Sequence, residues 1–466
     1  MRILLLAPYK KSYLGLAKFP PLGLGYLATA LRKNGYEVQI LDCLKEGFDS
    51  VKYKDYICRN HFDLVGINSW SLSIKEVKEI LDITKKLDKN IVTIVGGPHP
   101  SSVPEEAIKY FDSSDFGFRG EAEIGLVMLL DKLSKKKDIC FESIPGLIWR
   151  ENSVIRSNAA VFHDDLDDFD LLSWDLIRPE DYAQPGSITS GNTAPIITTR
   201  GCPYLCTFCS PHIIAGRRVR KRSTENIMKE IRLLKEKHGM KTIAIMDENF
   251  TFHRDHAAGL CNALIKEKLN MRFFLPNGIR LDTLDEELLL LMRKAGFIPS
   301  VAVGIESGSE RILRKIKKNL KKEIVKDKIK LMIKCGFRPI GYFILGFPGE
   351  SKEEMYETLA FAKELKLYRA AFSPLLVLPG TEIHKELTDS GKLPKVYDFA
   401  SLSTDNITLV PEGMTIEEFY KVKKDIIWKF NLQPRVLFDY MRDFNSFVFA
   451  TLKFSEIFLK KHNSFN

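Results

Sequence analysis

Cys202, Cys206 and Cys209 stand within eight positions of TTRGCPYLCTFCS, on a stretch that also holds Gly201 and Pro203. Cysteines at Cys-x3-Cys-x2-Cys spacing suit metal ligation in a reducing compartment better than a disulfide framework, and the other five cysteines are scattered. One reading is structural zinc, which needs a fourth ligand, and His212 stands three residues past Cys209. Another is three inert buried cysteines, which is hard to reconcile with a loop rich in glycine and proline. The third is a four-iron cluster held by three thiolates, which leaves one iron without a protein ligand. An iron of that kind is a place where a small molecule can bind.

A loop of this type needs strands and helices to hold it, and the sequence supplies them in two series. In the first, β-rich runs at 2–9, 37–42, 64–69, 91–97 and 115–120 alternate with amphipathic segments such as LGYLATALRKNG and IKEVKEILDITKKL. Five strands with crossover helices predict a flavodoxin-like Rossmann domain, in which ligands sit beyond the carboxyl ends of the strands. A hairpin follows over 146–157, with Glu151 and Asn152 at its turn, and then an acidic stretch over 163–175 that marks a seam. In the second series, strands are predicted in PIITTR, KTIAIMDEN, MRFFLPNG, SVAVGIESG, FRPIGYFILG and YRAAFSPLLV. Six β/α units are too few for a closed eight-unit barrel and enough for an open one, whose chemistry collects at the carboxyl ends of its strands. The fold class is therefore α/β. The expected domains are a Rossmann-like domain over 1–140, a hairpin and linker over 141–190, a partial (β/α)6 barrel over 191–400 and a helical region over 401–466.

Composition narrows the partners. With 45% hydrophobic and 28% charged residues, the 466-residue chain is typical of a soluble globular protein. The start, MRILLLAPYK, is too short an apolar run for a signal peptide, and nothing reaches the roughly 18 unbroken apolar residues of a spanning helix. The cytoplasm is the expected compartment. Much of the net charge of +10 lies in RKIKKNLKKEIVKDKIKLMIK (314–334), read as a solvated helix face. It lacks interleaved aromatic residues, so no nucleic-acid partner is expected. The aromatic tail FNSFVFATLKFSEIFLKK suits a packed helix, or alternatively a peripheral helix on a membrane surface.

The cysteine loop resembles the signature of radical S-adenosylmethionine enzymes, and later strand ends resemble that family's other motifs in order. The resemblance implies that the open iron of a [4Fe-4S] cluster chelates S-adenosylmethionine, whose reductive cleavage yields a 5′-deoxyadenosyl radical. It further implies contacts to the cosubstrate from Phe208, from Asp247 and Glu248 in DENF, from Glu306 and Ser307 in ESG, and from Ile344 and Gly346 in GYFILGFPG. The helix N-cap is a plain alternative for Asp247 and Asn249. Gly341, Pro348 and Leu378-Pro379-Gly380-Thr381 belong to the same pattern, and Arg200 and Arg280 end strands where they could hold carboxylates. The first domain resembles the cobalamin-binding domains found ahead of such barrels, in Pro20-Pro21-Leu22-Gly23-Leu24, Ser69, Ser71, Gly96-Gly97-Pro98-His99 and Arg119-Gly120-Glu121. Ser69, Ser71, Gly96, Gly97, His99, Gly120 and Glu121 are the implied cobalamin contacts. The sequence departs from the methionine-synthase type of domain, because no histidine follows an aspartate by two residues.

What the resemblance implies is methyl transfer from cobalamin to an unactivated carbon of a small-molecule or lipid-like substrate. Flavodoxin or ferredoxin is the implied reductant, with Arg217, Arg218, Arg220, Lys221 and Arg222 as its docking loop or else a solvated basic loop. Alternatives are an anaerobic oxidative cyclase, a transfer-RNA methylthiotransferase and, outside catalysis, a cobalamin- or cluster-binding sensor or carrier. The methylthiotransferase reading is opposed by Cys43, Cys58 and Cys140, which do not fall at three neighbouring strand ends.

Overall fold

The computed structural model describes residues 1–9, 19–135, 140–182, 192–393, 399 and 409–442. The aromatic tail singled out above lies outside them.

The first sheet holds seven strands: β1 (Arg2–Ala7), β2 (Glu37–Asp42), β3 (Leu64–Asn68), β4 (Val92–Gly96), β5 (Phe116–Phe118), β6 (Leu147–Glu151) and β7 (Val154–Ser157). Their order is β2-β1-β3-β4-β5-β6-β7, and β1 to β5 are parallel. This is the doubly wound order expected of the flavodoxin-like class. Ile3 to Leu6 are buried on both faces of the sheet, as a central parallel strand demands. The hairpin does not form a linker at the seam. Its strand β6 pairs antiparallel with β5 and extends the sheet, and the turn lies one residue later than expected. Glu151 pairs with Val154, so Asn152 and Ser153 form the two-residue turn, both with positive φ (48° and 68°). That conformation matches the twist of the strands it joins.

The second series begins with β8 (Thr193–Ile196) and β9 (Thr199–Arg200). It continues through β10 (Arg220–Lys221), β11 (Thr242–Ile245), β12 (Arg272–Phe274), β13 (Ser300–Glu306), β14 (Arg338–Leu345) and β15 (Arg369–Pro374). β8, β11 and β12 are parallel neighbours, as are β13, β14 and β15. Parallel bridges Phe273–Phe297 and Ile279–Val303 join the two halves, so six strands make one arc that runs from β8 to β15. The six predicted barrel strands all form. Beyond the arc, the helix Ile416–Asn431 opens with a capping box between Thr415 and Glu418 and sends Phe419, Val422, Ile426 and Phe430 into the barrel core. Among the described residues no helix is long and apolar enough to cross a membrane.

The basic stretch 314–334 is not one solvated face. It divides into the helices Glu310–Lys315 and Lys322–Lys334, and between them Lys318 is only 8% exposed.

Candidate active site

The cysteine loop leaves β9 and returns on β10, and these two short strands pair antiparallel, Arg200 with Arg220 and Thr199 with Lys221, so the base of the loop is closed. Gly201 has φ +109°, and a Cβ there would lie 2.3 Å from the Arg218 carbonyl oxygen, so only glycine fits. Inside the loop the Cys202 N–H donates to the Gly216 carbonyl (3.1 Å) and the Cys209 N–H to the Cys206 carbonyl (3.2 Å). From outside, the Thr207 N–H donates to the Ile316 carbonyl (3.1 Å) and the Ile383 N–H to the Thr207 carbonyl (3.0 Å). All three thiols are partly buried. Burial, followed by the charges of Cys206 and Cys202, pushes the Cys209 thiol up to about 12, and burial likewise raises Cys202. Thiols of this kind part with their protons when a metal takes their place. Among the described residues no three His, Cys, Asp or Glu side chains converge as the ligands of a single ion do.

Around the loop the structure divides the expected cosubstrate residues into those that face it and those that brace it. Asp247 is a brace. Its Oδ1 accepts from the Thr198 N–H (2.7 Å) and its Oδ2 from the Thr199 hydroxyl (2.9 Å) and the Thr198 hydroxyl, so both oxygens tie β11 to the root of the cysteine loop. The neighbouring carboxyl, Glu248, acts electrostatically on Cys202, and burial pushes it up to about 7. Neither Asp247 nor Asn249 caps the next helix, whose N-cap is His253. At the end of β13 a register irregularity between Gly304 and Glu306 gives Glu306 a φ of +71°. Its Oε1 accepts from the Lys318 ammonium (2.8 Å). Ser307 is spent on packing, because its hydroxyl lies 3.2 Å from that of Thr358 and accepts from the Ser309 N–H (3.1 Å). Phe208 meets Phe347 edge-on at 5.6 Å, and both Phe208 and Ile344 pack on the apolar cluster of Ile312, Leu313 and Ile316. Arg200 and Arg280 hold the protein's own carboxylates, Glu123 (2.8 Å) and Asp282 (2.8 Å).

Gly346, with φ +89°, leaves 2.8 Å between a would-be Cβ and the Phe419 ring. Its N–H donates to Glu350 Oε2 (2.6 Å), as does that of Phe347 (3.1 Å). Glu350 was not legible as a site residue. It is 2% exposed, its Oε1 has no partner among the described residues, and burial pushes it up to about 7. An acid held above its unfolded value keeps its proton in the fold while the unfolded chain loses it. Stability therefore falls as pH rises from about 4.5 to about 7 and levels off above that. Glu350→Gln keeps an oxygen for the two amides and removes the charge, so its unfolding free energy should lack this fall. The difference from wild type is on the order of 2–3 kcal/mol at pH 8. Urea unfolding of both proteins at pH 5 and pH 8 checks it, and equal slopes with pH would refute the assignment.

In the first domain, Ser69, Ser71, Gly96, Gly97 and His99 come together at the carboxyl ends of β3 and β4. Ser69 is fully buried and its hydroxyl has no partner among the described residues, although its N–H donates to the Gly96 carbonyl (2.7 Å). A Cβ on Gly96 would meet nothing within 4 Å, so this strand end borders open space, while Gly97 has φ +96° and takes the chain into the short helix Pro98–Ser102. His99 Nδ1 lies 3.1 Å from the Ser71 hydroxyl, and burial pushes its ring down to about 4, so it is neutral near pH 7. An orphaned buried hydroxyl beside an open glycine edge is the arrangement a large polar ligand needs. Gly120 is tied to this group through the His99 helix, while Glu121 is engaged by arginines. The Gly120 N–H donates to the Ser101 hydroxyl (2.9 Å), and a Cβ on Gly120 would strike Ala160 at 2.6 Å. Glu121 accepts two bonds from Arg220 (both 2.7 Å) and pairs with Arg200 at 3.3 Å.

The two sites are neighbours. A Cβ on Gly380 would lie 2.7 Å from the Ser102 carbonyl oxygen and 3.1 Å from Ile213 Cδ1, so the His99 helix, the helix Pro211–Ala215 after the cysteines and the loop after β15 meet at one point.

Residues 196–362 match the Radical SAM superfamily, and residues 16–130 match the B12 binding domain. The chain is 29% identical to an uncharacterized methyltransferase of Pyrococcus horikoshii, over 92% of this chain and 91% of that one. It is 26% identical to the anaerobic magnesium-protoporphyrin IX monomethyl ester cyclase of Rubrivivax gelatinosus, over 98% and 80% of the two chains. In three dimensions it is similar to the radical S-adenosylmethionine methyltransferase TsrM of Kitasatospora setae, solved with cobalamin and a [4Fe-4S] cluster. The TM-score is 0.73 at 20% identity, over 93% of this chain and 90% of that one.

Proposed function

This chain carries a B12 binding domain ahead of a Radical SAM superfamily domain, and from that pairing we propose an enzyme that transfers a methyl group to an unactivated carbon of a small molecule. The observation that carries the reading is the contact just described, in which the His99 helix of the first domain meets the helix that follows the cysteine loop and the loop after β15. When bound, a [4Fe-4S] cluster with S-adenosylmethionine supplies a hydrogen-abstracting radical, and cobalamin supplies the methyl donor.

In this proposal Cys202, Cys206 and Cys209 hold the cluster. Glu248 receives the ammonium of the cosubstrate, Glu306 its ribose, and Phe208, Ile344 and the backbone at Gly346 form the wall for its adenine. Ser69, Ser71, Gly96, Gly97 and His99 line the cobalamin crevice. Asp247, Ser307, Gly120 and Glu121 support these contacts through packing and ion pairs. The proposed domain limits are those drawn from the sequence, with the hairpin assigned to the first sheet. A small substrate is supported by TsrM, which has been solved with tryptophan. A low-potential flavodoxin or ferredoxin is proposed as reductant, docking on the exposed Leu205, Arg217, Arg218 and Lys221. Arg220 and Arg222 are buried in ion pairs with Glu121 and Glu230, so they are unavailable to a partner.

Oxidative cyclisation is the second reading, favoured by the length over which the Rubrivivax cyclase aligns. The products separate the two. The enzyme, purified anaerobically with cobalamin supplied and given reductant and S-adenosylmethionine, should retain corrinoid and form 5′-deoxyadenosine even without its substrate. With substrate it should also release S-adenosylhomocysteine. Deoxyadenosine with substrate turnover and no S-adenosylhomocysteine would transfer the assignment to cyclisation, and iron without corrinoid would remove cobalamin from it.

A further inference from the structure

We propose that Lys318 is a fixed positive charge that raises the reduction potential of the cluster held by Cys202, Cys206 and Cys209. The inference rests on the cluster reading above and assigns Lys318 a role in it.

The segment Ile316–Lys318 lies directly against the cysteine loop, because the Thr207 N–H donates to the Ile316 carbonyl (3.1 Å). Lys317, with φ +55°, turns the chain so that successive lysines part. Lys317 goes outward to Glu382 (2.7 Å) and Lys318 goes into the barrel. The Lys318 backbone is pinned from the other side, where its carbonyl accepts from Arg280 Nη2 (2.7 Å) and the Arg280 guanidinium stacks 3.6 Å from the centre of the Tyr204 ring in the cysteine loop. The ammonium is held by Glu306 at 2.8 Å. Gly304 makes the room, since a Cβ there would lie 2.6 Å from Glu306 Oε1 and 3.1 Å from Lys318 Nζ.

Besides the thiols, Lys318 acts more strongly on Cys209 than Glu306 does, and the two act in opposite senses. Three thiolates already make the cluster environment negative, and one-electron reduction adds another negative charge. A buried cation beside them favours the reduced state, because net charge and burial set the potentials of such clusters. An ion pair kept only for stability could be replaced by apolar side chains at little cost. This one stands where its charge bears on the electron that a low-potential flavin or iron–sulfur protein must deliver.

The test is a redox titration of anaerobically reconstituted holoenzyme without S-adenosylmethionine, followed by electron paramagnetic resonance, with iron measured for each protein. At a fixed potential near the wild-type midpoint, Lys318→Met should lower the ratio of reduced to oxidised cluster about tenfold, equal to about 59 mV for a one-electron couple. Lys318→Arg should restore most of it. Glu306→Gln, which leaves the cation unopposed, should shift the ratio in the opposite direction, and it decides the matter if Lys318→Met does not take up iron. Unchanged midpoints in iron-replete Lys318→Met or Glu306→Gln would overturn the inference while the cluster reading stands. A wild-type protein without iron would overturn both.

Discussion

Cys206→Ala is expected to purify anaerobically with roughly a tenth or less of the wild-type iron and to form no 5′-deoxyadenosine, while keeping its fold. The loop does not depend on this thiol for its shape. Its base is closed by the pairing of β9 with β10, its entry is set by Gly201, and its middle is held by backbone bonds to Ile316 and from Ile383. The Cys206 carbonyl that accepts from Cys209 also survives the substitution. What is lost is one of three ligands. Two thiolates cannot retain a four-iron body against chelation and exchange. Iron and sulfide analysis with far-ultraviolet circular dichroism checks the result, and Cys140→Ser, at an exposed cysteine away from the loop, is the control. Full iron in Cys206→Ala would remove this residue from the ligand set.

Arg200→Met should cost about 3–5 kcal/mol of unfolding free energy, the usual penalty for stranding a buried charge. Arg200 is 7% exposed and joins two carboxylates from the other domain, Glu123 at 2.8 Å and Glu121 at 3.3 Å, with its guanidinium 4.4 Å from the centre of the Tyr26 ring. Glu121 would keep Arg220, but Glu123, 7% exposed, has no second cation paired with it among the described residues and would remain charged in the interior. The double variant Arg200→Met, Glu123→Leu should therefore recover most of the loss, since buried ion pairs exchange for apolar contacts at little net cost. A double-mutant cycle by urea unfolding isolates the coupling. Equal destabilisation in the single and double variants would show that Arg200 acts through packing alone. The network also joins the loop after β5 to the strand that enters the cysteine loop, so loosening it should weaken cobalamin retention even where the protein remains folded.

The order of elements was legible in the chain because it rests on local pattern. Continuous apolar runs such as RILLLA and TIAI are buried parallel strands, and amphipathic spacing between them gives the crossover helices. The cysteine loop was legible for the same reason, as its three cysteines lie within eight residues of one another. The hairpin was legible as a hairpin, but its place at the sheet edge was not, since strand pairing partners are not written in a strand's own composition.

What the sequence by itself determined is the architecture, the three thiols and the two families to which its halves are similar. Which charged groups serve the site was decided only in three dimensions. Asp247 and Glu248 are adjacent and chemically alike, yet β11 turns one into a brace for Thr198 and Thr199 and leaves the other beside Cys202. Arg200 and Arg220 look like surface or substrate-binding arginines until the folded chain pairs them with Glu123 and Glu121, 77 and 99 residues away. Lys318 is one lysine in a basic run, and a single positive φ at Lys317 sends it inward to Glu306. The physical reason is common to all of them. A side chain's chemical type is local, but its burial, its partner and the charge it presents depend on groups that only the tertiary fold brings within a few ångströms.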